Sequence, residues 1–169
     1  MKTHNFTHTL LLLMIISCVM ALTGCSSKKD DSSAPTETVP VELNLSEVCQ
    51  KLLDGNVFQD TLSEIDSSYS QMLMNISADE YTTAIIYTGS GATAERLAVF
   101  EAADSSLAQA LKDKCTTHVT EQTEAYAGYL PEEVDKLNHA IIKVYDKYVI
   151  LCVAQDYGKA LKIISEDFQ

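Results

Sequence analysis

Apolar side chains recur at helical spacing through Leu45, Val48, Cys49, Leu52 and Leu53. Positions i, i+3, i+4, i+7 and i+8 line one face of a helix, and here Asn44 is the candidate N-cap and Gly55 the stop. A second helical stripe is read through Phe58, Leu62 and Ile65, reaching toward Tyr69. Beyond it, MLMNI (72–76) reads as either a short strand or an irregular turn, and Ser77 to Glu80 as a loop. Tyr81 to Thr88 is dense in Tyr, Thr and Ile, a strand composition. After the glycines at 89 and 91, Glu95, Leu97, Val99 and Glu101 alternate with Arg96, Ala98, Phe100 and Ala102. That period of two predicts a second strand.

The same order of elements returns further along the chain. Residues 140–154, AIIKVYDKYVILCVA, are two apolar runs around a Tyr145-Asp146-Lys147 turn. Each hairpin precedes a helical stripe: Leu107, Leu111, Cys115, Val119 and Tyr126 after the first, and Tyr157, Ala160, Leu161, Ile164 and Phe168 after the second. Asp104 or Ser105 would cap the first of these helices and Asp156 the second. Between the units, Pro131 opens a short helical segment. Two hairpin-helix units predict an α+β domain over 42–169: a four-stranded, mostly antiparallel sheet with helices packed on one face, preceded by N-terminal helices.

The first 41 residues follow another pattern. Leu10 to Gly24 is an uncharged apolar run behind a single Lys2, too short for a spanning helix and suited to a signal-peptide core. It ends in Leu22-Thr23-Gly24-Cys25, which resembles the bacterial lipobox and implies a lipid on Cys25 after removal of residues 1–24. Each buried acyl methylene contributes about 0.8 kcal/mol, so two or three chains hold firmly to a membrane. Residues 25–41, rich in Ser, Thr, Asp, Lys and Pro, read as a flexible tether. The expected location is therefore the extracytoplasmic face of a cell membrane.

Charge narrows the partners. The formal net charge is -12, and loss of residues 1–24 takes away Lys2 and no acid. Such a domain is repelled by phosphate backbones, so nucleic acid is excluded as a partner. Cys49, Cys115 and Cys152 remain beyond the lipobox at spacings that match no zinc pattern. They read as small buried hydrophobes, with a disulfide between two of them as the alternative.

Several groups could carry chemistry. Gly89-Ser90-Gly91-Ala92-Thr93-Ala94 fits the G-x-G-x-x-A pattern of a dinucleotide turn. The period-2 alternation after it argues instead for a hairpin loop whose glycines supply positive φ. Glu95 and Arg96 are the candidate ligand-binding residues. A carboxylate on the core side of a strand is desolvated and could serve as a base or ligand anchor, whereas at the strand end it is solvated or paired. Cys115 and His118, with Glu121 a turn further on, make half of a metal site or an ordinary core face with a flanking His. Seven tyrosines (81, 87, 126, 129, 145, 148 and 157) read as core components, with a ligand rim as the alternative. No serine occupies a G-x-S-x-G elbow, and neither a metal nor a cofactor is expected.

SGATAERLAVFEA, the long helix after it, Tyr129-Leu130-Pro131-Glu132-Glu133, the hairpin KVYDKYVILCV and the closing helix together resemble the bacterial lipoproteins of the domain of unknown function 4358 family. The resemblance spans about residues 42 to 169. It implies an acidic residue at the place of Glu95, and the chain departs from the family at Asp146-Lys147-Tyr148, where a Gly-x-Tyr turn is usual. It supports address and domain extent and implies no chemistry. The function expected is a membrane-anchored, non-catalytic binding or interaction module with an unidentified protein or small ligand as partner. The alternative is an exported enzyme or enzyme inhibitor that uses Glu95.

Overall fold

In the computed structural model, which describes residues 42–167, the first apolar stripe forms helix α1 (Leu45–Asp54). The Asn44 side chain accepts from the Glu47 N–H at 3.2 Å and Gly55 ends the helix. The leader, the tether with Cys25, and Phe168 lie outside the described residues.

The second stripe does not form a helix. Residues 55–62 are irregular, and Ser63–Ile65 form a short strand, β1, paired antiparallel with Thr88–Ile86. Phe58 and Leu62 still turn inward and pack on the core, so their apolar spacing reports burial of a loop rather than a helical face. The helix comes later, as α2 (Tyr69–Met74), closed by Asn75 in the left-handed conformation with φ 53°. MLMNI is thus mostly the end of a helix, neither strand nor irregular turn.

From there the expected order holds. β2 (Tyr81–Thr88) and β3 (Arg96–Ala102) form the first hairpin, and α3 (Ala108–Tyr129) is the long helix, entered through a 3-10 turn that Asp104 caps. A second 3-10 turn, Pro131–Glu133, leads into α4 (Val134–Asn138). The second hairpin is β4 (Ile141–Tyr145) and β5 (Tyr148–Val153), with Asp146 at positive φ in the turn. α5 (Tyr157–Asp167) closes the described chain, and Asp156 accepts from the Lys159 N–H at 2.9 Å.

The sheet has five strands rather than four, in the order β1-β2-β3-β5-β4, and all neighbours are antiparallel. The central pair, β3 and β5, joins the two hairpins through Leu97 opposite Cys152 and Val99 opposite Ile150.

Helices cover both faces of this sheet, which corrects the expectation of one. Leu97, Val99, Ile150 and Cys152 face Leu45, Val48, Cys49 and Leu52 of α1 and Ala160 and Ile164 of α5. Ala98, Phe100, Val149, Leu151 and Val153 face Leu111 and Cys115 of α3 and Leu137 of α4. The physical sign is in β5, where YVILCV is apolar at every position and buried at every position. Period-2 alternation marks a strand with one wet face, whereas an unbroken apolar run marks one with none. Truncation on either face should therefore be costly: Leu97→Ala by about 3 kcal/mol and Phe100→Ala by about 4 kcal/mol. Urea unfolding of both variants checks this, and near-wild-type stability for one of them would mean that its face is not covered.

Candidate functional site

Glu95 sits one residue before β3, and its side chain is fully buried. Its oxygens accept from the backbone N–H of Gln59 at 2.9 Å, Asp60 at 2.7 Å and Gln155 at 2.9 Å. Lys136 Nζ of α4 lies 3.7 Å away. That lysine is itself buried, bonded to Glu133 Oε1 and Gln59 Oε1, each at 3.0 Å. Glu133 in turn accepts the Ala94 N–H at 2.9 Å. Three charged side chains and four backbone donors thus satisfy one another inside the domain. The carboxylate is occupied by the fold, which meets the requirement that a buried charge be paired and hydrogen-bonded.

The glycine turn lies alongside. Asp60 Oδ2 accepts from both the N–H and the hydroxyl of Ser90 at 2.8 Å, and these bonds hold its carboxyl below the usual range. Gly91 carries φ +90°, as the hairpin reading requires. Gly89 serves differently: a Cβ there would meet Asp60 Oδ2 at 2.7 Å. This turn joins two antiparallel strands, whereas the dinucleotide fingerprint needs a parallel β-α-β unit.

Arg96 points to the opposite side of the sheet from Glu95, so the two candidates named from sequence do not converge. Its Nη1 donates to Nε2 of His118 on α3, and its Nε is buried without a hydrogen-bond partner. His118 is 5% exposed and also hydrogen-bonds to the backbone of Leu73 in α2. Burial, and then the Arg96 charge, push its pKa down to about 4, so the ring is neutral near pH 7. A neutral ring can accept from Arg96 with one nitrogen while the other donates. His118 therefore ties α2, α3 and β3 together.

Cys115 is buried in the core, away from any ligand set, and burial pushes its thiol up to about 12. Burial also pushes Cys49 up to about 12 and raises Cys152, and all three are free thiols. Among the described residues no group of three or more His, Cys, Asp or Glu could hold a metal ion, and no helix is long and apolar enough to cross a membrane. The tyrosines divide: Tyr148 and Tyr126 are buried, while Tyr129 and Tyr157 are exposed.

Concave surfaces of about 210 to 410 Å³ occur among the described residues, and none was anticipated. A cleft of about 390 Å³ opens between α2 and α3, lined by Gln71, Met72 and Leu73 on one side and Lys114, Thr117, His118 and Glu121 on the other. Met72 is 71% exposed. Lys114 is held by Glu80 at 2.6 Å. The i, i+3, i+4, i+7 spacing of Lys114, Thr117, His118 and Glu121 placed these residues on one helical face. With α2 read as strand or turn, nothing indicated an opposing wall.

The family model for a domain of unknown function (DUF4358) matches residues 58–154, and the chain belongs to this family. The match begins at Phe58, in the loop that Glu95 holds, and ends at Ala154, one residue before Gln155. Comparison with curated proteins and with solved structures gives no match.

The His118 geometry yields a pH dependence with a definite sign. Because the folded pKa, about 4, lies below the ordinary 6.5, stability from the neutral ring is complete above pH 6.5 and is lost as pH falls through 4. The full effect is about 3 kcal/mol at 1.36 kcal/mol per pKa unit. Urea midpoints of wild type and His118→Gln between pH 7 and 4 check it: the variant should lose this part of the slope, and parallel curves would contradict it.

Proposed function

We propose that this member of the family is a lipid-anchored, extracytoplasmic binding module that captures a partner without chemistry, through the cleft between α2 and α3. The observation that carries the reading is the cleft itself, about 390 Å³ with the exposed Met72 at its rim. Its volume falls in the range of small-ligand and side-chain sites. Methionine suits such a surface because its unbranched, polarizable side chain adapts to the shape it meets. Glu121 supplies a carboxylate on the facing wall.

The anchor part of the proposal rests on Leu22-Thr23-Gly24-Cys25 and the apolar run before it. A tether of the composition seen at 25–41 would let the domain search above the bilayer. In the alternative, Glu95 would be the reacting group of an enzyme or inhibitor. Three backbone N–H donors and Lys136 already claim its oxygens, which favours the module.

Two measurements test the two parts. Palmitate labelling of intact cells should mark wild type and leave Cys25→Ala unmarked, and equal labelling would end the anchor claim. A photo-cross-linking amino acid at position 72 should yield a discrete adduct in cells, whereas the same group at Lys162, on the opposite side of the sheet, should not. The same adduct from both positions, or from neither, would overturn the cleft as the binding surface.

A further inference from the structure

The last strand of the sheet, β4, has β5 on one side and no strand on the other. Which of its backbone groups face outward follows from the ladder. The Ala102 N–H donates to the Lys147 carbonyl at 2.8 Å, and in an antiparallel pair such bonds join opposite residues at every second position. Val149, Leu151 and Val153 therefore bond to β3, and Tyr148, Ile150 and Cys152 turn to β4. Their partners there are Tyr145, Lys143 and Ile141. The N–H and C=O groups of Ile142 and Val144 are left pointing away from the sheet, and no described residue hydrogen-bonds to them. Such a row is a template for a further strand.

Two features beside the row give it a side-chain preference. A concavity of about 240 Å³ lies between β4 and α5, lined by Lys143, Val144, Tyr145, Ile164 and Ser165. One turn before Ser165, on the same flank of α5, Leu161 is 41% exposed. Lys143 stands in the middle of the strand, exposed, and its ammonium makes no ion pair or hydrogen bond with a described residue.

We propose that the β4 edge is a docking site for an extended segment of a partner protein, added as a strand with an acidic residue opposite Lys143 and an apolar residue two positions away in the concavity. Main-chain bonds to Ile142 and Val144 supply the attachment, and the side chains supply the choice. Opposite residues at a position without ladder bonds approach to about 4.5 Å between Cα atoms, close enough for one carboxylate to pair with the Lys143 ammonium. Side chains two apart share a face, so the next one along meets the concavity. The same lysine rejects a second copy of this chain. In the register that overlaps the whole of β4 with β4 of another copy, Lys143 would face Lys143, and each copy carries a formal net charge of -12. This site goes beyond the cleft proposal, because it is built by β4 and α5 rather than by α2 and α3.

The test is a titration of the full chain at pH 7 with the peptide Ser-Val-Thr-Glu-Thr-Val-Ser, following backbone amides by NMR. Its central Glu has a Val two positions away on either side, so it fits in both strand directions. Saturable shifts are expected at the Ile142 and Val144 amides. The two threonines face those residues when Glu lies opposite Lys143, and methylating both of their backbone nitrogens should weaken binding at least tenfold. Lys143→Glu, an exposed substitution, should also weaken binding at least tenfold and should favour the peptide with Lys in place of Glu. Absence of saturable shifts at the two amides, equal affinity for the methylated peptide, or unchanged affinity in Lys143→Glu would each overturn the proposal. A dimer in sedimentation that excludes the peptide would assign the edge to a second copy and overturn it too. Glu121→Gln in the cleft should leave the peptide response intact, which separates this outcome from failure of the cleft as a partner surface.

Discussion

The domain depends on one carboxylate and where it sits. Glu95 lies at the junction of the glycine turn and β3, and it draws in the backbone of two other segments, 59–60 from the first loop and Gln155 from the start of the closing turn. Each of these segments is irregular, so its N–H groups would otherwise have no ladder to join. Lys136 and Glu133 extend the network to α4 and to Ala94. Removing one member of such a network leaves the others buried and unpaired, which is why a buried cluster can be costly to break even where its net contribution is modest.

This lacing explains which parts of the fold were legible. The strands and the long helices follow from local pattern: the Asn44, Asp104 and Asp156 caps, the alternation in β3 and the unbroken apolar run of β5 all agree with what forms. Residues 56–68 do not, because their conformation is imposed from a distance by Glu95 and by pairing of β1 with β2. Phe58, Leu62 and Ile65 mimic a helical period while packing as loop and strand. The covering of both sheet faces was written in YVILCV, but α1 could have packed on either side as far as its stripe is concerned.

The candidate site was legible only in pieces. Glu95 stood out as a carboxylate at the start of an apolar strand, and its two readings, desolvated or paired, turn out to be joined: it is buried and it is paired. Arg96, its neighbour, alternates to the other face and meets His118, a contact between residues 22 apart that no spacing rule could supply. The Cys115 and His118 pair looked like half a metal site because both occupy one helical stripe. In the fold that stripe divides, with the thiol in the core and the imidazole at the cleft floor. Family membership over residues 58–154 takes in the whole of this arrangement except α1, Gln155 and the closing helix.

Glu95→Gln is the most direct test of the central claim, because it keeps the size of the side chain and replaces one acceptor oxygen by an amide donor that faces backbone N–H groups. Equilibrium unfolding combined with hydrogen exchange at the Gln59, Asp60 and Gln155 amides reads the result. The account predicts a loss of about 3 kcal/mol, the scale for breaking a buried charged network, together with faster exchange at those three amides than in wild type. Stability within about 0.5 kcal/mol of wild type, the range of an ordinary surface substitution, with unchanged exchange at the three sites, would contradict it.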